Sequence, residues 1–195
     1  MSSIWDSIKI KKGPGGCGNV SNEQKNKTIE SAVETWENMG LDQDQIAFGI
    51  AVMGVESGFN PLARGHSKTE RGLGQFNDDT WTDAVKFHNS LYPNPVDPAK
   101  NRNEEACQVR AMGAWIHKAF QKAENLVSPS LNNYRFEEIA YGLWHESVYA
   151  KSDRVERFLG SDQYQSTNIS IYFKETYSEA LSIIDPYSGQ GFSPK

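Results

Sequence analysis

Cysteine, net charge and long hydrophobic runs are all scarce in this chain of 195 residues. The two cysteines, Cys17 and Cys107, allow at most one internal disulfide, and their spacing matches no zinc pattern. Nothing in the sequence points to an oxidising compartment, so two unpaired thiols are expected, with a bridge from the N-terminal segment to a helix as the alternative. The longest strongly apolar stretch, residues 46–55, is internal and spans about half of the roughly 20 residues that a membrane helix needs. The N-terminus has no basic start followed by an apolar stretch, so it does not read as a secretory signal. Synthesis in the cytoplasm is expected, with release or secretion by another route if the protein works elsewhere. Twenty Lys and Arg stand against twenty-five Asp and Glu, a net charge of −5. No concentrated positive field is available for a nucleic-acid backbone. The short basic cluster Lys9, Lys11 and Lys12 is too small to supply one.

Chemistry built on metals or nucleotides also lacks its signals. The four histidines, His66, His88, His117 and His145, are scattered and form no His-Glu-x-x-His site. His66 lies in the loop after Glu56 and is a candidate for substrate contact. No Gly-rich phosphate loop follows a strand. No cofactor is expected.

What is present is helical periodicity. Residues 1–20 read as a Gly-rich arm or linker, because 13–19 is dense in turn formers. Residues 21–185 read as one domain, and 186–195 as a frayed tail. Ile29, Val33, Trp36 and Met39 mark a helix over 26–39, stopped by Gly40. Asp42 or Asp44 can cap the next helix, 45–56. That helix is apolar on every side, which places it at the centre of a fold, and Gly49 and Gly54 would admit close neighbours. Residues 57–77 read as loop or short hairpin. Further helices are expected over 79–89, 104–127, 136–149, 153–158 and 169–184. The fold class is all-α or α-dominated α+β.

Glu56 ends the apolar helix. Desolvation and the partial negative charge of a helix C-terminus both disfavour its charged form. Phe59 and Phe76 are candidates for a dry wall. A carboxyl held protonated can act as a general acid toward a leaving oxygen, as in sugar cleavage. No motif singles out a second carboxylate; Glu70, Asp78 and Asp79 lie in the right loop, and either aspartate can cap the helix near Thr80.

Two blocks now stand in order: Glu56-Ser57-Gly58-Phe59-Asn60-Pro61-Leu62-Ala63, then Gly72-Leu73-Gly74-Gln75-Phe76 and Thr80. They resemble the signature of the soluble lytic transglycosylase family, in the lysozyme-like group that includes goose-type lysozymes. The resemblance covers residues 46–81. It continues more weakly through Asp97-Pro98-Ala99-Lys100-Asn101 and Ala140-Tyr141. It implies a lysozyme-like domain in which a central buried helix ends at a catalytic Glu56 beside a substrate cleft. It implies that Gln75 hydrogen-bonds the sugar, that Tyr141 orients Glu56 or meets substrate, that Ser57 sits beside the acid, and that Phe76 lines the floor. The substrate would be the glycan strands of peptidoglycan.

Three departures stand out. The family's Met is Gly74. The family's Ser nine positions after the Glu aligns with Gly65, so Ser67 can serve only if the loop shifts. Asn-Ala-Gly after the Tyr is replaced by Gly142-Leu143-Trp144, followed by His145-Glu146. Trp144, His145 and Glu146 thereby become candidate contacts of their own. The implied activity is that of a lytic transglycosylase, with hydrolysis through Asp78 or Asp79 as the alternative. A wall-binding module without catalysis is a second class, and a structural or phage tail component a third. A phage endolysin and an injected effector are the implied settings, the latter with an immunity protein.

Overall fold

The computed structural model describes residues 3–65, 69–97, 101–126, 128–165 and 169–185. His66, Ser67, residues 98–100 and the tail 186–195 lie outside them. A 3₁₀ turn at Pro14–Gly16 precedes α1 (Asn22–Asn38), α2 (Gln43–Glu56), α3 (Asp78–Leu91) and α4 (Glu105–Glu124). A second 3₁₀ turn, Pro129–Asn133, leads into α5 (Phe136–Glu146), α6 (Ser152–Leu159), α7 (Asp162–Gln165) and α8 (Ile169–Ile184). Among the described residues the only β features are isolated bridges, Arg64 with Arg71 and Arg71 with Phe76. The fold is therefore helix-dominated, and its irregular excursion follows Glu56.

Caps decide where the first helices begin. Ser21 Oγ accepts from the Gln24 amide (3.1 Å) and Gln24 Oε1 from the Ser21 amide (2.9 Å). This reciprocal capping box starts α1 at Asn22, earlier than its apolar spacing suggests. Asp42, rather than Asp44, plays the same part with Gln45 for α2. Asp44 instead accepts a hydrogen bond from Tyr177 of α8 (2.6 Å). Asn77 caps α3 through the Thr80 amide (2.8 Å), so neither Asp78 nor Asp79 is the cap.

Every residue from Ile46 to Val55 is buried. Helix α8 is the most extensive neighbour of α2, and α4 packs against α1, α2, α3 and α5. The small residues of α2 admit side chains rather than backbones. A Cβ on Gly49 would lie 2.5 Å from the Trp36 indole, and one on Gly113 of α4 would lie 2.6 Å from it. That indole wedges between the two helices and donates to the Val109 carbonyl (2.9 Å).

The N-terminal arm is packed against this core. Trp5 and Ile8 are buried within it. Lys25 of α1 is fully buried, and its ammonium donates to the carbonyls of Trp5 (2.7 Å) and Ile8 (2.6 Å). Burial lowers the Lys25 pKa and Asp6 opposes the shift, so the amine is held by its acceptors rather than by water. Lys25→Met would leave two carbonyls without their donor. The expected cost is about 1–3 kcal/mol in chemical denaturation, with earlier proteolysis of the arm. An unchanged midpoint would show that the arm is held by Trp5 and Ile8 alone.

Candidate functional site

Glu56 is the last residue of α2 and lies half-buried in a cleft of about 650 Å³. The chain leaves the helix through Ser57 and Gly58 and then Phe59, whose φ of +65° is left-handed. Phe59 is fully buried and folds back toward Gly54, so it does not line the cleft. Phe76 does line it, together with Val55 and Trp144. The Phe76 and Trp144 rings lie 4.9 Å apart at 31°.

Tyr141 of α5 reaches Glu56 from the core side. Its hydroxyl donates to Glu56 Oε1 at 2.8 Å. The ring is 1% exposed and stacks on Phe173 of α8 at 4.7 Å, which fixes where the hydroxyl points. Burial raises the Glu56 pKa. The Tyr141 hydrogen bond, His145 and Lys11 oppose that rise, and Glu70 adds to it. Burial and the neighbouring Glu56 hold the Tyr141 phenol far above its ordinary value, so it remains a donor. The carboxyl is thus desolvated, held by one neutral donor, and open to a groove: the physical requirements of a proton donor.

Gln75 also lines the cleft and sits at φ +47°, a conformation side chains disfavour. Its Nε2 donates to the carbonyls of Gly72 (2.7 Å) and Ala63 (3.2 Å). These two bonds lock the excursion, and the amide oxygen is the atom left to meet a ligand. His145 lines the cleft, stacked on Phe158 at 4.0 Å, with its ring nitrogens against Glu146 (3.3 Å) and Gln163 (3.2 Å).

Ser57 is placed differently from the expectation of a substrate contact. It is fully buried, and its hydroxyl donates to the Met53 carbonyl at 3.0 Å, so it closes the helix end and does not line the cleft. Asp78 pairs with Arg102, Asp79 is exposed, and neither lines the cleft; Glu70 does. Glu146 turns to Arg154 (2.5 Å) and to an adjoining cavity. Sequence reasoning missed Lys11, Pro14 and Cys17 of the arm, and Arg64 and Gln163, all of which line the cleft. The signal for the arm was its glycines: a Cβ on Gly15 would lie 1.6 Å from the Arg64 carbonyl oxygen. Both cysteines are free thiols, Cys17 in the cleft and Cys107 buried on α4. Burial holds the Cys17 thiol above its usual pKa despite Lys11, so it is neutral there.

Comparison with protein-family models, curated proteins and solved structures finds no match. The site therefore has to be argued from its own chemistry. Among the described residues, no cluster of three or more His, Cys, Asp or Glu is placed to hold a metal ion, and no helix is long and apolar enough to cross a membrane.

Two of the sequence departures are one packing event. The Trp144 indole donates to the Gly74 carbonyl (3.3 Å), and a Cβ on Gly74 would lie 2.9 Å from the Trp144 ring. The volume that a side chain at 74 would fill is filled by Trp144 from α5 and Met112 from α4. Gly74→Met alone should cost about 1–3 kcal/mol by overpacking, and Trp144→Ala about 3–5 kcal/mol by opening a cavity. The double variant should cost less than the sum in a denaturation cycle; strict additivity would show that the two positions do not share space.

The raised Glu56 pKa has a second consequence. Below the unfolded-state value both states carry a neutral carboxyl, and burial exacts no charge penalty. As pH rises through the folded-state value, the native state must hold a buried anion, and that stability is lost. Glu56→Gln removes the titration while keeping an acceptor for Tyr141. Its melting temperature should exceed that of the wild type at neutral pH, with the gap closing toward pH 4. A gap independent of pH would mean that the carboxyl is not desolvated.

Proposed function

We propose that this protein cleaves the β-1,4 bond between N-acetylmuramic acid and N-acetylglucosamine in peptidoglycan, as a lytic transglycosylase. The observation that carries the reading is the desolvated Glu56 carboxyl, held by the Tyr141 hydroxyl at 2.8 Å on the floor of the cleft. Of the five residues that the lytic transglycosylase resemblance names, Glu56, Gln75 and Phe76 line the cleft and Tyr141 bonds to Glu56 from the core side, while Ser57 turns back to Met53. A lysozyme-like domain is the fold this reading implies.

Glu56 donates its proton to the glycosidic oxygen as the C1–O bond breaks. The acetamido oxygen of the same sugar takes up the positive charge at C1, which spares the protein a nucleophile. Glu56, now a carboxylate, removes the proton from the C6 hydroxyl. O6 closes onto C1 and gives a 1,6-anhydro ring, with no water consumed. Tyr141 supports the anionic stage, since a hydroxyl donor stabilises a carboxylate more than a carboxylic acid. Phe76 and Trp144 keep the cleft floor dry, and Gln75 offers its amide oxygen to a sugar hydroxyl or amide.

One observation favours a second reading, hydrolysis by a lysozyme of the same architecture. Glu70 lines the cleft, faces Glu56 electrostatically, and has no ion-pair partner among the described residues. A second carboxylate in this position can activate water, given a separation suited to inversion or retention. A wall-binding module without catalysis is the remaining class. A phage endolysin, or an effector countered by an immunity protein, is the setting we infer.

Digestion of purified peptidoglycan followed by mass analysis separates these readings. The transglycosylase gives ends one water lighter than the hydrolase. Glu56→Gln should lower turnover by about 10²–10⁴-fold, the usual contribution of a general acid. Glu70→Gln should leave anhydro products unchanged. Hydrated ends that vanish with Glu70→Gln would establish hydrolysis, and binding without any cleavage by the wild type would establish the module.

A further inference from the structure

The arm supplies part of the cleft lining, and it does so rigidly. The Gly18 amide donates to the Ser57 carbonyl (2.9 Å), the Arg64 amide to the Gly15 carbonyl (2.8 Å), and Asn60 Nδ2 to the Gly16 carbonyl (2.7 Å). The Tyr172 hydroxyl of α8 donates to the Lys9 carbonyl (2.5 Å). Gly58, two residues beyond Glu56, sits at φ +56°, and a Cβ there would lie 2.2 Å from the Lys11 carbonyl oxygen. The backbone of Lys11 is therefore pressed onto the turn that carries the acid.

Lys11 lines the cleft that holds Glu56, and its ammonium lies 5.8 Å from the centre of the Tyr172 ring. It acts electrostatically on both Glu56 and Cys17. It forms no ion pair with a carboxylate among the described residues. Arg64, the other basic side chain in the lining, is exposed. A fixed cation beside a general acid opposes retention of the proton, so the proposed chemistry gains nothing from it in the unliganded protein. Its charge is suited to an anionic partner that arrives with the substrate. Peptidoglycan carries one: every second sugar bears a lactyl ether whose carboxyl is free in denuded strands and is extended by an acidic stem peptide in native ones. Chitin, the neutral analogue, carries none.

We propose that Lys11 is the specificity residue of this cleft and docks a carboxylate carried by the muramoyl ring at the cleavage point. The proposal rests on the peptidoglycan reading above. Pairing with that carboxylate also cancels the field of Lys11 on Glu56, leaving His145, Glu70 and the Tyr141 hydroxyl as the groups acting on the acid. Docking and readiness to donate are thereby coupled.

The test reads affinity, so that it does not depend on turnover. The probes are peptide-bearing muropeptide oligomers, denuded glycan oligomers and chitotetraose. Each is titrated calorimetrically against the Glu56→Gln protein with Lys11, Lys11→Met or Lys11→Arg. Lys11→Met should weaken binding of muramoyl probes about tenfold or more, equivalent to about 1.4 kcal/mol. Lys11→Arg should restore most of it, and chitotetraose should bind all three alike. Loss confined to denuded strands assigns the lactyl carboxylate, loss confined to peptide-bearing oligomers assigns the stem peptide, and loss on both shows that Lys11 accepts either carboxylate; each outcome supports the docking. Equal losses on chitotetraose, or no loss on either muramoyl probe, overturn the proposal while wild-type lysis leaves the cleavage reading intact. Tight, Lys11-dependent binding by a wild type that lyses nothing would sink the cleavage reading and keep the proposal. Absence of binding to every probe would sink both. Unchanged thermal unfolding of Lys11→Met is the control for folding.

Discussion

One hydrogen bond, from the Tyr141 hydroxyl to Glu56, is the constraint around which the molecule is arranged. A carboxyl at the end of a wholly apolar helix is expensive to ionise, and one without a partner would turn toward water. Tyr141 holds it in place. The phenol can do this only because its own ring is immobilised by Phe173 and bordered by Phe158 and Tyr164. Tyr164 in turn donates to the buried Glu138 at the start of α5 (2.9 Å), and Lys174 of α8 pairs with the same carboxylate (3.1 Å). The precision of the site is thus set by a layer of aromatic and ionic contacts behind the cleft, none of whose members lines it.

The cleft lining itself draws on segments far apart in the chain. Helix α2 supplies the acid, and the irregular excursion supplies Gln75 and Phe76. Helix α5 supplies Trp144 and His145, and the arm supplies Lys11 and Cys17. The excursion contains little regular structure to hold it. Gln75 does that work with two hydrogen bonds to backbone carbonyls, and Gln108 of α4 adds bonds to the Leu73 amide (2.9 Å) and the Pro61 carbonyl (3.0 Å). A loop fixed by amide side chains in this way can sit at a left-handed Gln75 without relaxing, because leaving that conformation breaks both bonds.

The central helix and its terminal acid were legible because they violate a pattern: ten consecutive buried residues followed by a carboxylate. Helical periodicity likewise marked α1, α4 and α8, and its errors lay at ends set by caps such as Ser21 with Gln24. The arm was not legible as a wall. Gly and Pro between positions 13 and 18 announce turns, but turn chemistry is local and says nothing of what the turn rests against. The partner that ties the arm down, Lys25, reads in sequence as an ordinary polar helix residue. Only the fold shows its ammonium aimed at two backbone carbonyls. Ser57 failed for a related reason, since a hydroxyl beside an acid can face either side of the chain, and here it turns back to Met53. Asp78 and Asp79 sit at the start of α3 between two cleft-lining residues, Asn77 and Thr80, but Asp78 pairs with Arg102 and Asp79 is exposed, while Glu70, on the excursion, lines the cleft.

The clamp on the arm ties the first residues to the last helix. The Tyr172 hydroxyl grips Lys9 across 163 positions of sequence, and α8 covers α2 more extensively than any other element does. A polypeptide still being synthesised and halted short of α8 has the acid, the excursion and the Lys25 hold on the arm in hand, yet lacks the Tyr172 grip on Lys9 and the cover on its central helix. Helix α8 lends no residue to the lining, yet its docking secures both the arm and the helix that carries Glu56.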